Sequence, residues 1–120
     1  MSNENMYLAV FLGSKTSPRR MAWEALPLDQ RRAMEQRGIA AWKEWAEKHQ
    51  PSITDISGPL GKTKKVSARG VEDISNALAA FTVVRAPSHE AAARMFENHP
   101  HFAVFPGDSI EIMPILPTPG

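Results

Sequence analysis

Residues 6–12 (MYLAVFL) form an unbroken apolar run that stops at Gly13. The run is too short for an ordinary helix, and its composition suits a strand buried on both faces. Residues 14–26 then lose all period, with Lys15, Pro18, Arg19 and Arg20 interrupting it, which predicts a long surface loop with a short helical turn around Trp23. From Pro27 to about His49 there is no internal proline. Met34, Gly38, Ala41, Trp42 and Trp45 recur there at helical spacing, the stripe of one long amphipathic helix. Gln50-Pro51 ends it, because proline disfavours helical backbone in the residue before it.

Beyond this helix the pattern turns to strands. Residues 52–57 and 62–68 flank the turn-forming cluster Gly58-Pro59-Leu60-Gly61, which predicts a hairpin-like strand pair, with 70–76 as a connection. Residues 77–86 hold the β-rich Phe81-Thr82-Val83-Val84. Ser88 is placed as the N-cap of a second helix, with Glu90 in its first turn and Ala92, Met95, Phe96 and His99 as its inner stripe. Pro100 is read as its stop. Phe105-Pro106-Gly107-Asp108 fits a turn before a last strand at 109–113. The whole chain, 1–120, reads as one domain with flexible tails at 1–5 and 117–120.

The order strand, helix, strand pair, strand, helix, strand is a ferredoxin-like split βαβ arrangement: α+β, with an antiparallel sheet and both helices on one face. That geometry leaves a sheet face open. The first strand supplies Leu8, Val10 and Leu12 to one side and Tyr7, Ala9 and Phe11 to the other. Leaving about five such side chains in water would forgo roughly 8 to 15 kcal/mol at about 1.5 to 3 kcal/mol each. A homodimer packed sheet to sheet covers them.

Ser57-Gly58-Pro59-Leu60 followed by Lys62-Thr63-Lys64, the later β-rich strand, Ser88-His89-Glu90-Ala91-Ala92, and the closing Glu111-Ile112-Met113-Pro114 together resemble the YCII-related family, including its Asp-Gly-Pro-Phe branch. The resemblance spans most of residues 6–116. It implies the dimeric α+β barrel fold, in which two ferredoxin-like subunits pack their sheets face to face. Wider members carry a histidine on the first helix and an aspartate, proposed as a catalytic pair. This chain has Ser57 where the family has an acidic residue, Asp55 two positions earlier, and no histidine on the first helix before His49.

Composition removes several classes of function. The 14 Lys and Arg balance 13 Asp and Glu to a net charge of +1, so no chain-wide field exists to hold nucleic acid. With no cysteine there is no disulfide, thiolate metal site or Cys nucleophile. No apolar stretch is long enough to span a bilayer, and the N-terminus lacks a basic leader, so a cytoplasmic location is expected.

Candidate chemistry centres on the histidines. Both helices are expected to run antiparallel to the two central strands, which puts both helix C-termini at one end of the sheet, with His49 and His99 together there near Tyr7 and the strand bearing Asp55. His99 with Asp55 is then the candidate acid–base pair. His101, His49, Tyr7, Trp42 and Lys62 are candidate binding residues around a cleft for a small polar organic molecule. His99-Pro100-His101 is too thin a signal for a metal site, and no cofactor is expected. Lys62 to Lys65 reads as a solvated edge or an anion contact. The alternative is a non-catalytic ligand-binding or accessory protein on the same fold, with capping histidines at helix ends.

Overall fold

The computed structural model describes residues 5–118. Of the expected tails, 1–4 and 119–120 lie outside the described residues, and Asn5 already opens a strand. In chain order the elements are β1 (Asn5–Leu12), α1 (Pro18–Glu24), α2 (Leu28–Lys48), a 3-10 turn at Gln50–Ser52, β2 (Ile53–Pro59), β3 (Thr63–Ser67), β4 (Gly70–Ile74), β5 (Leu78–Ala86), α3 (His89–Arg94), α4 (Pro100–Ala103) and β6 (Ser109–Pro114).

Four strands form one sheet in the order β2-β5-β1-β6, every neighbouring pair antiparallel. This is the ferredoxin-like split βαβ arrangement. Tyr7, Ala9 and Phe11 face the helices and are buried, while Met6, Leu8, Val10 and Leu12 on the other face are only partly covered. Register extends both faces across the sheet: Tyr7 sits opposite Val84, whereas Leu8 sits between Val83 and Met113 and Val10 opposite Phe81. The single chain therefore has one closed core, built by Tyr7, Ala9, Phe11, Val84, Ala86, Ala92 and Phe96, and one open apolar sheet face.

The expected strand pairing is corrected. Residues 63–67 do form a strand, but its partner is β4, the stretch read as a connection, while β2 pairs with β5. Opposite charges across the ribbon, Lys64 to Asp73 and Lys65 to Glu72, compensate for residues that strands otherwise disfavour. Gly70, at φ +106°, makes the tight reversal, since that region strains any side chain. The ribbon is thus an insertion between two strands of the main sheet.

The second helix is also corrected. It begins as expected, with Ser88 Oγ accepting the Ala91 N–H, but α3 ends at Arg94. Asn98 takes a left-handed conformation at φ 58°, and Pro100 opens α4 rather than stopping a helix, because the first helical position needs no N–H. The loop expected at 14–26 contains α1, whose N-cap Ser17 accepts the Arg20 N–H. Arg19 on α1 donates to the Gly107 carbonyl at 2.9 Å and to that of Phe102, tying this segment to the turn before β6.

A further correction concerns direction. β1 and β5 run antiparallel to each other, so the helices that follow them end at opposite ends of the sheet, and topology does not bring the two helix C-termini together.

Candidate ligand-binding site

Trp42 and Trp45 leave α2 toward the sheet, and Trp45 is fixed by its indole N–H donating to the Met95 carbonyl at 2.7 Å. Trp42 stacks on Phe11 at 5.4 Å between ring centroids. These rings wall a cavity of about 340 Å³ whose floor comes from β5 and β2, including Ala80, Thr82, Ile53 and Ser57. Register explains the floor: Phe11 lies opposite Ala80, Ser57 opposite Thr82, and Pro59 opposite Ala80, all on the helix side. The lining is mostly aromatic and aliphatic, with the Ser57 and Thr82 hydroxyls as its side-chain polar groups.

Behind the Trp42 wall lies His99, fully buried. Its ring meets Trp42 at 4.5 Å and 86°, Trp45 at 4.6 Å and 71°, and Phe11 at 5.2 Å and 73°, an edge-on aromatic cage. Nδ1 accepts the His101 backbone N–H, so in the neutral ring the proton sits on Nε2. Nε2 is buried with no hydrogen-bond partner. Burial, reinforced by the nearby His101 and His49, pushes His99 down to about 3, so it is uncharged at neutral pH.

His101 is almost as enclosed. Its Nε2 lies 2.8 Å from the Leu12 carbonyl, and since a carbonyl only accepts, this nitrogen donates. Burial lowers the His101 pKa, against an opposing pull from the Leu12 carbonyl and Asp108. Gly107 makes this possible: a Cβ there would lie 2.4 Å from the imidazole and from the His101 carbonyl oxygen. Nδ1 of His99 and Nε2 of His101 are thus each engaged by a backbone group.

Of the residues singled out from sequence, Trp42 lines the cavity directly. His99, His101 and His49 gather behind and beside its wall, with His49 packed on Trp45 at 5.1 Å. Tyr7 lies farther along β1 and stacks on His89 at 5.5 Å, whose Nε2 is held by the Ile112 carbonyl. Lys62 lines a different cleft at the foot of the β3–β4 ribbon. Asp55 is exposed and hydrogen-bonds to none of these imidazoles among the described residues. The cause is local: between Ile53 and Ser57 the β2 register slips, and Thr54 turns inward to donate to the Val83 carbonyl at 2.8 Å, leaving Asp55 outside.

Sequence reasoning missed the floor of the cavity. Ala80, Thr82, Ile53 and Ser57 carry no local signal, because only strand register sets them opposite the two tryptophans. Gly38, read from sequence as part of the α2 stripe, is a close-packing position. Phe105 lies against its bare Cα, and a Cβ there would meet the Phe105 ring at 2.4 Å.

Among the described residues no helix is long and apolar enough to cross a membrane. No family model matches the chain, and no curated protein matches it in sequence. Among solved structures it is similar to 5-chloro-2-hydroxyhydroquinone dehydrochlorinase (TftG) from Burkholderia phenoliruptrix AC1100 in complex with 2,5-dihydroxybenzoquinone, with a TM-score of 0.51, 14% sequence identity and 90% of each chain covered. At that identity the likeness speaks for the fold, and the chain has the α+β architecture of the dimeric α+β barrels, its own four strands forming an open sheet.

Proposed function

We propose that the protein is a homodimeric binder of small planar organic molecules, of the YCII-related type, taking its ligand in the cavity between α2 and the β2–β5 edge. The observation that carries this reading is the aromatic wall of Phe11, Trp42 and Trp45 facing the Ser57 and Thr82 hydroxyls. At about 340 Å³ the cavity is near the small end of the ligand-site range of about 300 to 1,000 Å³, the size of a one- or two-ring molecule with a polar edge. The structurally similar dehydrochlorinase was solved with a one-ring quinone, which fits this size class.

Binding is favoured over acid–base catalysis by the state of His99. A general base must reach its proton within hydrogen-bond distance. His99 is sealed behind Trp42 and Phe11, and Asp55 does not orient it. In this reading His99 and His101 brace the tryptophan wall rather than touch the ligand.

The dimer reading rests on the open sheet face. Leu8, Val10, Phe81 and Met113 form a contiguous apolar surface by register, and a second copy covers it at the lowest cost. A thermal-shift screen of planar aromatic compounds tests the binding reading, since a ligand that prefers the folded state raises apparent stability. A rise in the wild type that disappears in Ala80→Phe, which fills the cavity floor, is the expected result. A panel with no stabilising compound, or one that stabilises both proteins equally, rejects the site.

A further inference from the structure

A larger cavity lies elsewhere, at the foot of the β3–β4 ribbon, with a volume of about 820 Å³. Lys15 and Arg20 reach it from the segment after β1, and Lys62 and Lys64 from the start of the ribbon. Asp73 is the one carboxylate in its lining. The cleft thus carries four cations and one carboxylate, net +3, in a chain whose total is +1, leaving −2 for everything else. Positive charge is concentrated here by folding, from segments far apart in sequence.

Two of the four cations are already committed. Arg20 pairs with Glu24 at 3.0 Å and Lys64 with Asp73 at 2.6 Å, while Lys15 and Lys62 have no ion-pair partner among the described residues. Polar groups accompany them. Thr63 Oγ1 accepts from Asn76 Nδ2, which leaves its own O–H free to donate, and the Ser75 hydroxyl lines the same wall. A concave, cationic, hydroxyl-lined cleft recognises negative charge and little else.

We infer that this cleft is a second site, separate from the aromatic cavity, that binds a small polyanion bearing phosphate or several carboxylates. The anion bridges Lys15 on one wall and Lys62 on the other, and draws Lys64 from Asp73. A solubilising role for strand-edge lysines would not need Lys15 and Arg20 to converge on the same hollow from the opposite side.

Calorimetric titration at low salt with pyrophosphate and with citrate as probes tests this and separates the two chemistries. Lys15→Ala with Lys62→Ala is expected to raise the dissociation constant by about five-fold or more, in line with the loss of two charge-assisted contacts. Lys65→Ala is the control, because Lys65 alternates to the other side of the ribbon and does not line the cleft. Asp73→Asn is expected to tighten binding, a direction that a folding defect would not produce. Equal losses in Lys65→Ala and in the cleft variants, weaker binding in Asp73→Asn, or no binding of either probe would overturn the assignment.

Discussion

The backbone N–H of His101 donates to Nδ1 of His99 at 3.0 Å. One bond therefore does two jobs. It caps the first turn of α4, and it fixes the His99 tautomer so that the unpaired Nε2–H points into an aromatic cage rather than toward solvent.

Acid should destabilise the fold through this residue. Folding lowers the His99 pKa from 6.5 to about 3, so between those values the unfolded chain holds a proton that the folded one does not. Stability is then full above pH 6.5 and falls as pH drops toward 3, with a slope of about 1.4 kcal/mol per pH unit from this group. His49 and His101 are shifted in the same direction. His99→Phe keeps the aromatic packing and removes the titration, at a cost of about 1 kcal/mol for the lost cap. Urea midpoints measured from pH 7.5 to 4.5 should show a shallower acid loss in the variant. Identical slopes would place the acid sensitivity elsewhere.

Gly38→Ala should destabilise, against the usual trend. On an unobstructed helix the exchange stabilises by about 1 kcal/mol. Here the new Cβ meets the Phe105 ring at 2.4 Å, and overpacking of this kind costs about 1 to 3 kcal/mol. Restored stability in Gly38→Ala with Phe105→Leu would assign the loss to that contact. A more stable single variant would refute it.

Most of the architecture was legible from apolar spacing, since β1, α2, β5 and β6 each announce themselves by period. In the β3–β4 ribbon the first strand was legible but its partner was not, because β4 lacks a clear apolar period and the pairing rests on cross-strand charge pairs that a linear pattern does not reveal. The site was less legible. Trp42 and Trp45 were visible as a helical stripe, but the partners that turn a stripe into a cavity wall come from strand register. Asp55 and His99 looked like a pair only while the helix ends were placed at one edge of the sheet. The bulge in β2 and the antiparallel run of β1 and β5 separate their roles.

Substitutions on neighbouring residues of β1 should divide by face. Leu8→Asp, opposite Val83 and Met113, should leave a folded monomer, because it charges the open face assigned to the proposed dimer contact. Phe11→Asp should not fold, since it puts a carboxylate among Trp42, Phe96 and His99. Sedimentation with circular dichroism distinguishes the two. A wild-type protein that is monomeric at micromolar concentration would remove the dimer from the account.

The central claim, a ligand held between the α2 tryptophans and the β2–β5 edge, is tested most directly by titrating 2-naphthol, a planar two-ring probe with one polar edge, and following tryptophan fluorescence and binding heat together. The wild type should show saturable binding with a fluorescence change, and folded Ala80→Phe should show neither, because its new ring occupies the floor opposite Phe11 and Pro59. Saturable binding of equal affinity in Ala80→Phe, or no binding by the wild type, would contradict the claim.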